Sequence, residues 1–566
     1  MLITLFACII FLFLTVSAGS KASFALDRFF KATNFSLFQN FLLGTALLAC
    51  YFNIWSLFLP TNFYSLLPVF ILCSIMAFYF KGILERARHY FSRIFTSSVA
   101  LVTIPILLVI FIYSLLPPQH GDSPGYHFLA IRWIEAYKAV PGLANLHGRL
   151  GFNSSFFVSS AAFTFSRLAN QPLYVLNVAF TGCYYLWLLG KIAGYKNSLW
   201  SVVFLAIAVL MFRQLLDSIS SPTPDVLATI IISYVFITVA ESFLIRGRLD
   251  ECKTIIILLL ICFGFTVKLN TFPLGFIGLF LFINGELYKS RKAVVLLATV
   301  AFIILAPWMI RNYILTGYLI FPVAATGLLH PDWQVPDQIL HFEKLLINNG
   351  PKLISQNWEA VDSLSFPQWF PQWIKAHSAH GLTGSLVILA AAIVCAAASL
   401  FLIDRKKYSS IYLLAIINIV AIAFWIYNSP DYRFGYPYLI NEVLLLALFL
   451  SKNTALPFSI KLLPAVLAFI VCSYYFKHAA VILFRFPLSS YLVKPLPGIQ
   501  YSAQTNLSRF PSIMLNRQVK LYVEDKNHWC NLADVPCYIP FTDSLPASYL
   551  QLRGRGIEEG FRIARK

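Results

Sequence analysis

Within eight residues, Gly121-Asp122-Ser123-Pro124-Gly125-Tyr126-His127-Phe128 offers a carboxylate, a hydroxyl, a phenol and an imidazole, just past an apolar run that ends near Pro117. The spacing predicts that Ser123 caps a helix with Pro124 in its first turn. Phe128, Ile131 and Ile134 then fall near one apolar face, as in a helix lying along a membrane surface. Asp122 sits at the positive end of that helix, which favours its ionised form. A fixed carboxylate at a lipid–water boundary suits a general base that deprotonates an acceptor hydroxyl; the plainer alternative is that Asp122 only helps cap the helix.

Other charged groups stand at similar places. Ser221-Pro222-Thr223-Pro224-Asp225 puts a second carboxylate at the start of an apolar run, and Lys268 interrupts the run Thr254 to Ile283. Pro307-Trp308, Arg311-Asn312, Thr316-Gly317-Tyr318 and Phe321-Pro322 mark a third boundary, and Asp431-Tyr432-Arg433-Phe434-Gly435-Tyr436 a fourth. Acidic and basic groups recurring at helix mouths suit a site where cations hold a phosphate and a carboxylate handles a proton. His127 and His147 are candidate contacts for an acceptor or a divalent metal, with a structural role as the alternative. Arg149 and Asn153 are candidate contacts for sugar or phosphate.

The elements that must position these groups are membrane helices. Hydrophobic residues make up 59% of the chain and charged residues 12%, against about 45–50% and about 25% in soluble domains. Ser98–Pro117, Asp225–Ile245, Val294–Ile310 and Ile411–Tyr427 each approach the length that crosses the hydrocarbon as a helix, and the chain has room for about 12–14 spans. The expected fold is an all-α, polytopic transmembrane protein. The net charge of +19 does not indicate nucleic acid, because Lys and Arg cluster between spans: Lys81 to Arg93, Arg246 to Lys253, Lys289 to Lys292 and Arg405 to Lys407. That is the pattern of cytoplasmic loops, with the remaining basic groups free to meet membrane lipids.

On this assignment 117–153, 217–224, 311–381, 428–436 and the tail share the outer face. Leu2 to Gly19 lacks a basic residue ahead of its apolar stretch and reads as a retained helix rather than a signal peptide. Ser154–Gln171 does not fit a simple crossing and reads as re-entrant or surface-lying. Thr254 to Ile283 reads as two short helices meeting around Val267–Asn270, with Lys268 near the outer face. The organisation expected is residues 1–94 as N-terminal helices, 95–492 as a core with outer loops 117–153 and 311–381, and 493–566 as a small outer-face domain. Trp333, Trp358, Trp369 and Trp373 in the second loop read as interfacial anchors. Cys530 and Cys537 can close a disulfide in an oxidising compartment, and the other eight cysteines lie in or beside apolar runs.

Taken together, Asp122, Asp225, Lys268, the run from Pro307 to Pro322 and the Asp-x-Arg-Phe element around Arg433 resemble the GT-C superfamily of polytopic glycosyltransferases, which includes protein O-mannosyltransferases and lipid A aminoarabinose transferases. The chain looks more closely like a group of uncharacterised bacterial membrane proteins in that neighbourhood, through Pro141 to Ser155, the pair Cys530 and Cys537, and Leu552-Arg553-Gly554 with Gly560-Phe561. The resemblance implies a GT-C-like fold in a bacterial plasma membrane and a polyprenyl-phosphate sugar as donor. It implies inverting transfer to a lipid or glycan acceptor, Asp122 as base, and Lys268, Arg311 and Arg433 on the leaving phosphate. The chain departs from the family in carrying one Asp where many members place two adjacent acidic residues. It also has three spans before that loop where one is usual. Two rival readings are a transporter of lipid-linked glycan and a surface-polysaccharide polymerase or ligase; a non-catalytic scaffold is a third.

Overall fold

A computed structural model describes residues 1–30, 36–78, 88, 92, 100–355, 357–455, 463–496, 511–516, 519–524, 535–538 and 549–564. The described chain is mostly helical, and seven of its helices are long and apolar enough to cross a membrane. Five further apolar helices have 10–17 residues among those described. The basic cluster Lys81 to Arg93, apart from Arg88 and Ser92, lies outside the described residues, as does Cys530.

Helices α1 (Leu2–Phe30) and α2 (Leu37–Phe58) form a close pair. A Cβ at Gly19 would lie 1.7 Å from the Asn40 carbonyl oxygen, and one at Gly44 1.7 Å from that of Thr15. The two backbones therefore touch where side chains are missing. Asn40 Nδ2 donates to Ser20 Oγ at 3.1 Å and Ser23 Oγ donates to Asn40 Oδ1 at 2.6 Å, so the seam's polar groups satisfy one another. Helix α3 (Leu66–Phe78) lies against α1.

After α4 (Ala100–Tyr113), a π-helical turn at Ser123–His127 runs straight into α5 (Phe128–Ala136). Two short helices follow, α6 (Ser155–Ala162) and α7 (Ser166–Ala169). Every residue of α6 is buried. Its cap, Ser154, donates to the Val267 carbonyl at 2.7 Å, while Gln171 donates to that of Pro495 at 2.9 Å. Leu496 in turn donates to Leu115, just past α4. The segment 154–171 thus returns to the end of the bundle from which it left.

Long helices α8 (Leu176–Gly194), α9 (Trp200–Leu216) and α10 (Asp225–Arg246) come next. Helices α11 (Glu251–Val267) and α12 (Leu274–Asn284) are separated by a break in which Lys268 is extended, at φ −161° and ψ 135°. Helix α13 (Arg291–Thr316) leads to a long loop containing α14 (Asp337–Asn349), α15 (Trp358–Asp362) and α16 (Phe366–Ala379). The bundle closes with α17 (Thr383–Leu402), α18 (Ser409–Asn428), α19 (Tyr432–Leu450), α20 (Leu463–Leu483) and the short α21 (Ser489–Leu492). Helix α19 packs against α9, α10, α17 and α18. This order sets Arg246 to Lys253, Lys289 to Lys292 and Arg405 to Lys407 at the end opposite the starts of α10 and α19.

Two readings from sequence are corrected. Ser123 does not cap: the turn begins at Asp122, whose carboxylate makes no capping bond, and Ser123 Oγ faces His127 Nδ1 at 3.2 Å instead. Trp369 and Trp373 are buried rather than interfacial, because α16 turns its aromatic stripe inward; Trp373 Nε1 donates to the Pro430 carbonyl at 3.2 Å, and the Lys352 ammonium sits 4.6 Å from the Trp369 ring centre. The tail is built from strands. β1 (Ser512–Leu515) pairs antiparallel with β2 (Val519–Val523), which pairs in parallel with β3 (Cys537–Tyr538), while β4 (Leu550–Leu552) and β5 (Phe561–Ile563) form an antiparallel ribbon. Cys537 is disulfide-bonded, and the other eight described cysteines are free.

The tail docks on the loop that carries Asp122. Phe561 N–H donates to the Pro141 carbonyl at 2.9 Å, its ring packs edge-on against Trp133, and Asn145 Nδ2 donates to its carbonyl at 3.3 Å. Gly560 adopts φ +100°, and a Cβ there would lie 2.2 Å from the Pro141 carbonyl oxygen, so only glycine allows this approach. Arg553 braces the second loop, with Nε 2.8 Å from Asp332 Oδ2 and the guanidinium 4.3 Å above Trp333.

Candidate functional site

Four helix boundaries bring their charges together. Asn177 Nδ2 donates to the carbonyls of Ser221 at 2.7 Å and Thr223 at 2.9 Å, which fixes the turn before α10 and aims Asp225 inward. The break after α11 frees Lys268 from helical geometry, and its ammonium pairs with Asp225 Oδ1 while lying 3.8 Å from the Phe434 ring centre. Tyr438 Oη donates to the Asn270 carbonyl at 2.9 Å and ties that break to α19. Asp431 caps α19 by accepting the Arg433 N–H at 3.0 Å, and it also accepts from the same residue's guanidinium, with Nη2 at 2.7 Å and Nε at 3.1 Å. Arg433 Nη1 reaches Asp122 Oδ2 at 3.1 Å and lies 3.7 Å from Asp225 Oδ2.

The cluster is graded from wet to dry. Asp122 and Arg433 keep 37% and 36% of their side chains exposed, while Asp225 keeps 7%. Burial pushes the Asp122 carboxyl up, but Arg433 and the other positive groups outweigh it and hold it at about 2. Asp122 is therefore ionised, with Arg433 as its chief counter-charge.

His120 joins the cluster and was not singled out from sequence. Its Nε2 faces Asp225 Oδ2 at 3.5 Å, its Nδ1 accepts the Asp122 N–H at 3.2 Å, and its own N–H donates to Ser221 Oγ at 3.0 Å. The one local signal was its place two residues before Asp122. His127 is buried next to it, with ring centres 5.4 Å apart, and burial holds it well below its ordinary value, so its imidazole is neutral.

His120, Asp122 and His127 bring ligand atoms within 4.8 Å of one another. Two imidazoles and a carboxylate suit a divalent cation by donor type. Arg433 Nη1 nevertheless already occupies this group, 3.1 Å from Asp122 Oδ2 and 2.5 Å from His120 Nε2. An added cation would face a guanidinium, so the cluster as it stands does not fit a metal.

Two of the residues expected in the site belong to a neighbouring wall. Arg311 Nη1 donates to Asn153 Oδ1 at 2.7 Å, and its Nε donates to Ser56 Oγ at 3.1 Å. Asn153 Nδ2 donates to the Trp308 carbonyl at 2.9 Å, and no carboxylate pairs with Arg311 among the described residues. Asn53 Nδ2 reaches Ser155 Oγ at 2.9 Å. Helix α2, from the N-terminal region expected to stand before the core, is thus part of the core. The charge of Arg149 also acts on Asp122, and its guanidinium sits over the rings of Tyr126 at 5.5 Å and Phe152 at 5.2 Å. Glu343 of α14 holds it from behind, with Oε2 2.9 Å from Nε. Nothing local in the sequence joins Glu343 to Arg149. His147 is also buried, and burial and Arg149 depress it to about 3.

A family model described as a domain of unknown function, DUF8201, matches residues 1–440. The chain belongs to the DUF8201 family. Every cluster residue from His120 to Arg433 lies inside the matched DUF8201 region, whereas the strands that brace the Asp122 loop lie beyond it. No curated protein and no solved structure matches this DUF8201 chain.

Proposed function

We propose that this protein is a membrane glycosyltransferase, moving a sugar from a polyprenyl-phosphate donor to a lipid or glycan acceptor at the outer face of a bacterial plasma membrane. The observation that supports this reading is the meeting of Asp122, Asp225, Lys268 and Arg433 at one end of the bundle, drawn from four distant stretches of chain. An acceptor oxygen attacks the anomeric carbon as the bond to the phosphate oxygen breaks, and the acceptor proton passes to Asp122. A carboxyl held at about 2 is a weak proton acceptor. A donor phosphate that draws Arg433 toward itself removes the main counter-charge, and burial then raises the carboxyl toward a useful range. Lys268 and Arg433, held at the site by Asp225 and Asp431, then stabilise the departing phosphate.

One feature favours a second reading, transport of a lipid-linked glycan. Glu442 lies mid-way along α19 at 0% exposure, accepts from Asn418 Nδ2 at 2.9 Å and has Ser399 beside it; no Lys or Arg pairs with it among the described residues. Ionisable groups inside spans mark pathways as a rule.

Proteoliposomes loaded with a labelled polyprenyl-phosphate sugar separate the two. The transferase reading expects free polyprenyl phosphate and a glycosylated acceptor, both lost in Asp122→Asn. Intact donor crossing the bilayer, with no carrier phosphate released, replaces it with the transport reading.

A further inference from the structure

Both cations of the main cluster are already matched. Lys268 sits on Asp225, and Arg433 contacts Asp431, Asp122 and Asp225, so three carboxylates face two cations while His127 is neutral. An anion entering there must first draw a cation away from a carboxylate.

Arg149 is in a different position. Its side chain is 19% exposed, its Nε faces Glu343, and neither Nη1 nor Nη2 has an acceptor among the described residues. Tyr126 and Phe152 hold the plane of the guanidinium, and its charge acts on Asp122. The outward edge is thus a preoriented fork beside the carboxylate.

Glu343 is sealed behind that fork. It is 1% exposed, and Gly148 lies flush against it: a Cβ there would be 2.6 Å from Oε1. Burial pushes the Glu343 carboxyl up to about 7, against the opposing pull of Arg149. His147, on the same loop as Arg149, is held neutral. Lys352 and Asp362, from the elements packed against the far end of α14, engage Asn349 instead, at 2.7 and 3.0 Å. Arg149 is therefore the charged group that faces Glu343.

We propose that Arg149 and Glu343 form a proton-gated anion subsite next to Asp122, in which a tetrahedral phosphate-type anion takes the outward edge of the guanidinium and Glu343 gains one proton from solvent as it binds. With Glu343 neutral, the positive charge of Arg149 is free for the ligand; with Glu343 ionised, it is cancelled from behind. The glycosyltransferase reading supplies only the identity of the anion, the phosphodiester of the donor. The subsite itself rests on the geometry.

The test measures binding alone, on the full chain in nanodiscs, with a farnesyl phosphodiester and with inorganic sulfate as separate probes. Both probes keep constant charge between pH 6 and 8. Wild type should bind about tenfold more tightly at pH 6 than at pH 8, following the fraction with Glu343 protonated. Glu343→Gln should bind at the pH 6 strength throughout, and the double variant Arg149→Met with Glu343→Gln, which leaves no unpaired buried charge, should bind neither probe. Binding of the phosphodiester alone assigns the subsite to a lipid-borne anion, and binding of both to the tetrahedral group itself. A flat wild-type profile, a pH dependence that persists in Glu343→Gln, full binding in the double variant, or no binding of either probe overturns the proposal. Sugar transfer without this binding would refute the subsite alone, and binding without transfer the glycosyltransferase reading alone.

Discussion

The α1–α2 seam and the Asp122 cluster are both places where distant backbone comes close, yet they are built on opposite terms. In the seam the contacts are exclusive: Gly19 meets Asn40, Gly44 meets Thr15, and Asn40 serves Ser20 and Ser23. In the cluster they are shared: Asp225 answers to Lys268, Arg433 and His120, and Arg433 to three aspartates. Exclusive contacts leave no place for a substituent. Shared ones can be redistributed, which a site needs if a ligand is to take the part of one of its members.

Substitution separates the two most sharply in the seam. Gly44→Leu forces the helices apart, costs more than about 4 kcal/mol, and should leave no monodisperse protein on size exclusion; recovery of a stable, folded variant would break the contrast. In the cluster, Asp225→Ala strands Lys268 without its partner. A loss of about 3–5 kcal/mol is expected, read as a lower melting temperature together with lost transfer.

Asp122→Asn should behave unlike either. Its carboxylate is half in water, so melting should hardly move while transfer falls about 10²- to 10⁴-fold. Normal turnover in that variant would remove Asp122 from the chemistry.

The smallest effect concerns Glu343, whose carboxyl is raised from 4.5 to about 7 in the fold. The stability linked to it is complete below the unfolded value and is lost as pH rises through the folded one. Between pH 5.5 and 8.5 wild type should lose about 2 kcal/mol more than Glu343→Gln. Parallel melting curves across that range would show that the burial of Glu343 carries no such penalty.

The residues legible in the sequence share a local signature. Asp122, Asp225, Lys268 and Arg433 each interrupt or border an apolar run, and a charge in such a place is costly enough to need a partner. Arg311 bears the same signature, yet its donors go to Ser56 and Asn153, because what a boundary charge meets is settled by packing between distant helices. Glu343 could not be found this way. It sits in a short amphipathic helix of a polar loop, and only the fold brings it to Arg149. Trp369 and Trp373 read as interfacial anchors and are buried instead, since an aromatic stripe serves a lipid interface or a protein core equally well.

The strand that carries Phe561 also sets a schedule. Asn145 and Phe561 are 416 residues apart, and a ribosome adding roughly 5–20 residues per second leaves an interval of about 20–80 seconds between them. In the last part of that time, once Arg433 has been made, a nascent chain already holds its carboxylates and cations, but not the piece that steadies the loop bearing Asp122. Newly made protein should therefore emerge silent and become competent only when its last ribbon has been made and has docked.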